Sequence, residues 1–197
     1  MNKTLETKIT LFDSHFATPK NKVRDITINH YVDLIKDGDQ QTAVLNARKA
    51  LHEDNDPKGY KTAKDSLPGA VGSGIIPDGM TRNSKNTKLN GYIVIDIDRK
   101  PTVEGDERIT DDEIEAVFND PHVLLVHRSV SDWGICAFVK VDEERLKDAF
   151  YGLEVYFMEQ FGFEIDPSCK NFDRFRYLSY DPAIMAKDKA PKVFKSI

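Results

Sequence analysis

The sequence predicts an α+β fold: an RNA-recognition-like (ferredoxin-like) sheet with helices on one face and an N-terminal α/β extension. Two observations carry this prediction. The second half of the chain reads strand, helix, strand, strand, helix, strand, the order of a split β-α-β sheet. Within it, the stretch GYIVIDID (91–98) alternates, so that Ile93, Ile95 and Ile97 share one face and Tyr92, Val94, Asp96 and Asp98 the other. The isoleucines are expected beneath the helices. The opposite face is expected to stay free for a site.

The individual elements follow from local signals. Ile9 to Phe12 reads as a short strand, followed by a polar turn containing Pro19. Two helices are expected at about 28–36, closed by Gly38, and at about 40–52. Residues 53–59, EDNDPKG, read as a turn cluster, and 60–79 as a glycine- and proline-rich loop holding a short strand at 74–76. After the strand at 91–98, Thr110 to Glu113 has capping-box spacing and starts a helix that runs to about Asn119. HVLLVH (122–127) and GICAFVKV (134–141) read as buried strands. Asp142 then caps a long helix with Leu146, Phe150, Leu153, Phe157 and Phe161 on one face, ended by Gly162. FRYLSY (175–180) is the expected final strand. The reading is one domain over 1–197, with an N-terminal α/β part (1–90), a core sheet carrying an acidic site (91–182) and a tail (183–197).

Composition narrows the classes. A chain of 197 residues with 40% hydrophobic and 31% charged residues is an ordinary globular sequence. Its net charge of −5 argues against a generally basic nucleic-acid coat and leaves room for a local basic groove. No apolar run approaches the about 18 residues of a membrane span, so no membrane partner is expected. The N-terminus lacks a signal-peptide segment, and its two cysteines, Cys136 and Cys169, are far apart without CxxC spacing. A cytoplasmic protein with reduced thiols is the expectation. No P-loop, GxSxG or HExxH motif occurs.

Three segments could carry chemistry. Asp96 and Asp98 project together, and like charges one pleat apart call for a cation, for which oxygen ligands favour Mg2+ or Mn2+. The plainer reading is a strand emerging into a solvated acidic turn. Cys136 falls on the same face, either as a small buried residue or as a thiol at the site. Trp133 suits stacking on a nucleobase or a half-buried place at a strand end. His127, last in a buried strand, reads as structural. In FEIDPSCKNFDRFRYLSYDP (163–182), Arg174 and Arg176 alternate and could grip phosphates, or pair on the surface with Asp173 or Asp181.

Several short motifs occur in order: KDSLPGAVGSG from Lys64, then Arg82, GYIVIDID from Gly91, DPHV from Asp120, SVSDWG from Ser129, and IDP, DR and LSYDP between Ile165 and Pro182. This order resembles the VirE N-terminal-domain family of phage and mobile-element replication proteins, itself similar to the archaeo-eukaryotic primase superfamily, over about residues 9–182. The resemblance implies a primase-small-subunit-like fold and divalent-metal-dependent nucleotidyl transfer in DNA replication. By that resemblance Asp96, Asp98 and Asp166 hold Mg2+ or Mn2+. Lys64, Arg82, Ser131, Gly134, Arg174 and Arg176 contact nucleotide or nucleic acid. It also implies single-stranded DNA template and nucleoside triphosphates as partners, and either a separate helicase-like ATPase or a chain that is a unit cut from a longer protein. The pattern S-G-x-G-x-H is departed from, since Asp132 replaces its first glycine and Cys136 its histidine. That departure keeps a second reading open, a catalytically degenerate module that binds nucleic acid or nucleotide in a replication complex.

Overall fold

The structure is a computed structural model describing residues 4–15, 22–99 and 108–195; the turn expected at Pro19 lies outside these. At the N-terminal end, β1 (Lys8–Phe12) and β2 (Lys22–Thr27) pair antiparallel, with Ile9 opposite Ile26. Thr27 caps α1 (Ile28–Asp37) by accepting from the His30 N–H, and the helix buries Ile28, Tyr31 and Ile35 along one stripe. α2 (Gln41–His52) follows. α3 (Pro57–Asp65) begins inside the segment read as a turn cluster and continues into the expected loop. Asp56 caps it by accepting from the Gly59 N–H, and Pro57 at its first position has no N–H to lose.

Three short strands, β3 (Gly69–Val71), β4 (Gly74–Ile75) and β5 (Lys88–Leu89), lead into β6 (Tyr92–Ile97). The capping box at Thr110 and Glu113 starts α4 (Asp111–Asn119), and β7 (Val123–Arg128) and β8 (Ile135–Lys140) follow. A 3-10 turn, Glu143–Arg145, precedes α5 (Leu146–Phe161), which Gly162 ends at φ +70°, a conformation that costs glycine little. A second 3-10 turn, Pro167–Lys170, precedes β9 (Arg176–Tyr177) and β10 (Met185–Ala186).

Two four-stranded antiparallel sheets result, in the orders β10-β7-β8-β6 and β2-β1-β3-β9. In the first, β6 and β7 flank β8 and are joined through α4, which is the expected split β-α-β unit. The fourth strand departs from the ferredoxin-like expectation. FRYLSY contributes only β9, and β9 joins the other sheet. β10 pairs instead with β7, so among the described residues the outer edge of β6 has no strand beside it. The Pro167–Lys170 turn comes to that edge, with the Asp166 N–H donating to the Asp96 carbonyl at 2.9 Å.

One face of the first sheet packs Ile93, Ile95 and Ile97 with Ala137 and Val139 against α4 and α5, as expected. Phe194 enters this core, and the Val141–Phe194 bridge ties the C-terminal segment to it. The opposite face is not free. Tyr92, Val94, Cys136 and Phe138 share a second core with Ile9, Leu11 and Ala70 of the other sheet and with Tyr31 of α1. Three large apolar side chains on a sheet face demand cover, and the second sheet supplies it. A site on this face is therefore confined to the end of β6, where the apolar pattern gives way to Asp96. Among the described residues, no helix is long and apolar enough to cross a membrane.

Candidate functional site

The end of β6 meets two arginines, Arg176 of β9 in the neighbouring sheet and Arg174 in the loop before it. Asp96 Oδ1 lies 3.1 Å from Arg176 Nε, and Asp96 Oδ2 lies 3.5 Å from Arg174 Nε. Arg174 also reaches Asp166, with Nη2 2.6 Å from Oδ2, so it bridges the two carboxylates. Asp166 is fixed by its own turn, since Oδ1 accepts from the Ser168 N–H at 2.8 Å and the Ser168 hydroxyl at 2.7 Å. Partial burial works against its charge, but the Ser168 bonds and the two arginines outweigh it and hold the carboxyl below its ordinary value.

Asp98 differs. It is exposed, yet the protein packed around it and the nearby charges of Asp96 and Asp166 raise its carboxyl above the ordinary value, against the pull of Lys64 and Arg174. Solvent blunts the shift, whose first cause is the burial and whose second is the Asp96 charge. Gly134 makes this corner possible, because a Cβ there would lie 2.3 Å from the Ile97 carbonyl oxygen and 2.6 Å from Asp98 Oδ1.

Arg176 is 7% exposed, donates through Nη2 to the Val94 carbonyl at 2.8 Å and contacts Cys169 Sγ at 3.1 Å. Burial opposes its charge, but the Asp96 carboxylate more than offsets this and raises its pKa. Its Nε approaches Asp96 without hydrogen-bond alignment, and its Nη1 is buried with no hydrogen-bond partner among the described residues. An unfilled donor of this kind is costly unless a further acceptor enters the site. Cys169 Sγ also accepts from the Asp96 N–H at 3.2 Å, and burial pushes its thiol up to about 11.

These groups open onto a cavity of about 110 Å3, lined among others by Lys64, Asp96, Asp98, Ser129, Arg174 and Arg176. Lys64, at the end of α3, lies over the Tyr177 ring at 5.3 Å from its centroid. Asp96, Asp98 and Asp166 thus stand against Lys64, Arg174 and Arg176, three carboxylates against three cations. One oxygen each from Asp96 and Asp166 lies, with Cys169 Sγ, within a span of 4.8 Å. The donor chemistry fits a hard divalent cation through the carboxylates, whereas a protonated thiol does not suit it.

The other residues singled out from sequence fall in different places. Arg82 faces a neighbouring cleft, bonded to the Asp173 and His15 carbonyls at 3.2 Å each. Ser131 bonds the Ser129 hydroxyl in the turn and does not line the cavity, and Gly134 contributes backbone alone. Asp132 adopts φ +66° and is paired with Arg48, Arg108 and Arg128. That left-handed position explains why only a glycine or a residue such as Asp suits it. Cys136 lies directly across from Asp96, and burial raises its thiol well above the ordinary value, so it stays neutral. His127 Nδ1 faces the Arg128 carbonyl at 2.8 Å, which can only accept, so Nδ1 carries the proton and Nε2 accepts from Tyr31 at 2.9 Å. Burial keeps this ring neutral. Ser168, Cys169 and Tyr177 escaped sequence reading; the Asx-Pro-Ser pattern after Ile165 was the available signal for Ser168.

Fold and site together define an α+β domain with an acidic, arginine-bridged cluster at a sheet end. Residues 62–185 match the family model of the BT4734-like, N-terminal domain, and the chain belongs to that family. This is a different family from the VirE N-terminal domains, so the resemblance drawn from motif order is corrected and the place in the primase superfamily falls with it. An aspartate pair at a strand end and small turns before strands recur wherever sheets emerge into solvent, and their order did not identify the family. The chain matches no curated protein and no solved structure.

Proposed function

We propose that this domain carries out divalent-metal-dependent nucleotidyl transfer, with Asp96, Asp98 and Asp166 as the carboxylate set. The observation that carries the reading is that Asp96 shares one cavity with Asp98, Lys64, Arg174 and Arg176, while an oxygen of Asp166 lies within 4.8 Å of one of Asp96 and Arg174 bridges the two. The charges of the cluster balance as it stands. A bound Mg2+ or Mn2+ would add two positive charges, polarise a phosphoryl oxygen and favour ionisation of an attacking hydroxyl. Arg174, drawn off the carboxylates, and Lys64 would then meet phosphate oxygens, with Arg176 holding Asp96 in place. At about 110 Å3 the cavity accommodates a phosphate-sized group and not a whole nucleotide. Single-stranded DNA and nucleoside triphosphates are the proposed substrates.

The direct test incubates the protein with single-stranded DNA, labelled nucleoside triphosphates and Mn2+, beside Asp96→Asn. Template-dependent extension is expected from the parent and not from the variant, with circular dichroism confirming that both are folded. One observation favours a second reading, a binding module: Asp96 is already engaged by two guanidinium groups. No product with either metal, while DNA is still bound, selects the module.

A further inference from the structure

Beside the cavity lies a wider cleft of about 570 Å3, and Arg174, Phe175 and Tyr177 line both. The two differ in scale. The cavity has room for about three to four waters, whereas the cleft falls within the roughly 300–1,000 Å3 of small-molecule sites. Its walls are aromatic. The His15 and Tyr177 rings stack, with centroids 5.7 Å apart and planes at 29°, and Phe175 meets both edge-on at 5.4 and 5.0 Å. Burial and the nearby Arg82 charge hold His15 below its ordinary pKa, so it presents a neutral ring.

The rim is polar, with Asn83, Ser84 and Asn171. The Asn171 side-chain amide makes no hydrogen bond to the described residues, leaving two donors and an acceptor for a ligand. Arg82 lies over Phe175 at 5.4 Å and keeps a buried Nε without a hydrogen-bond partner among the described residues. A planar heterocycle with donors and acceptors on its edge matches such walls and rim. Arg174 stands at the passage between the two spaces.

We propose that this cleft holds the base and sugar of a nucleoside triphosphate whose phosphates pass Arg174 into the cavity. The inference rests on the phosphate-binding reading above and adds a base subsite formed by His15, Tyr177 and Asn171. Aromatic stacking, not charge alone, then selects nucleotides over bare polyphosphates.

Calorimetric titration with each of the four ribonucleoside triphosphates and with tripolyphosphate, all with Mg2+ and without DNA, separates the two readings. At least one nucleotide is expected to bind about tenfold or more tighter than tripolyphosphate, within the range that a single stacked base contributes. His15→Ala and the exposed Asn171→Ala are expected to lower that affinity towards the tripolyphosphate level, leaving tripolyphosphate binding unchanged. Asn171 carries the test if His15→Ala disturbs the packing of Phe175. Equal affinity for tripolyphosphate and all four nucleotides, or nucleotide affinity untouched by both substitutions, overturns the base subsite while the phosphate reading stands. Binding of neither class overturns both.

Discussion

The two faces of the β6–β8 pair are built from alternate residues of the same strands, yet they differ in kind. The face under α4 and α5 is apolar from end to end, with Ile93, Ile95 and Ile97 all buried. The face under the second sheet starts apolar at Tyr92 and Val94 and ends polar, with Asp96 beside Cys136, Arg176 and the Tyr31–His127 pair. The first face needs only volume. The second must satisfy charges and donors in a crowded place, and among the described residues Arg174 Nε and Arg176 Nε and Nη1 stay without a hydrogen-bond partner. The helix-covered core and the candidate site are thereby separated by one residue of register, because a slip of one would exchange the two sets.

The largest effects test that separation directly. Phe157→Ala, in the helix-covered core, is expected to cost about 3–5 kcal/mol in denaturant unfolding through the cavity it leaves. It should leave Mn2+ and nucleotide affinity within a factor of about two wherever the protein remains folded. Asp96→Ala, on the other face, strands a guanidinium that is 7% exposed and is expected to cost a similar 3–5 kcal/mol. Unlike the first variant it should abolish Mn2+ binding. If Asp96→Ala unfolds like the parent protein, the pair with Arg176 does not hold this corner.

A smaller effect probes the polar end of the second face. Tyr31→Phe removes the donor to His127 Nε2 and leaves a buried acceptor unpaired. The expected cost is about 1–3 kcal/mol, with the upper part reached only if no water enters. Because the ring is neutral, this loss should be flat between about pH 6 and 8. A loss that grows steeply on acidification across that range would show that the histidine is charged.

The helix-covered face was legible because its periods are regular and local. The isoleucine alternation, the Thr110–Glu113 box and the apolar stripe of α5 each sit within one segment. What escaped depends on distant parts of the chain. α3 was hidden by Asp56, Pro57 and Gly59, which have turn composition, although Asp before Pro is also a helix start. The second sheet joins strands from residues 8–12, 22–27, 69–71 and 176–177, and β2 gave no separate signal. Asp96 and Asp98 could be placed on one strand face, but the cover over that face, and Arg174 bridging Asp96 to Asp166, arise from tertiary pairing alone.

The smallest effect distinguishes the carboxylates themselves. Asp166, held below its ordinary pKa, stabilises the fold above the unfolded value near pH 4, and that contribution is lost as pH falls through the lower folded value. Asp98, raised, works in reverse. Relative to its protonated state, its ionisation weakens the fold as pH rises through the folded value. Asp98→Asn is therefore expected to raise the melting temperature slightly at pH 7 without metal, and to change it little near pH 3. The gain is small because the carboxyl is exposed. With saturating Mn2+ the order should reverse, since only the parent gains from the cation. A variant that is no more stable than the parent without metal, and equally stabilised by Mn2+, would remove Asp98 from the site and leave Asp96 and Asp166 with Arg174 as an ordinary ion-pair cluster.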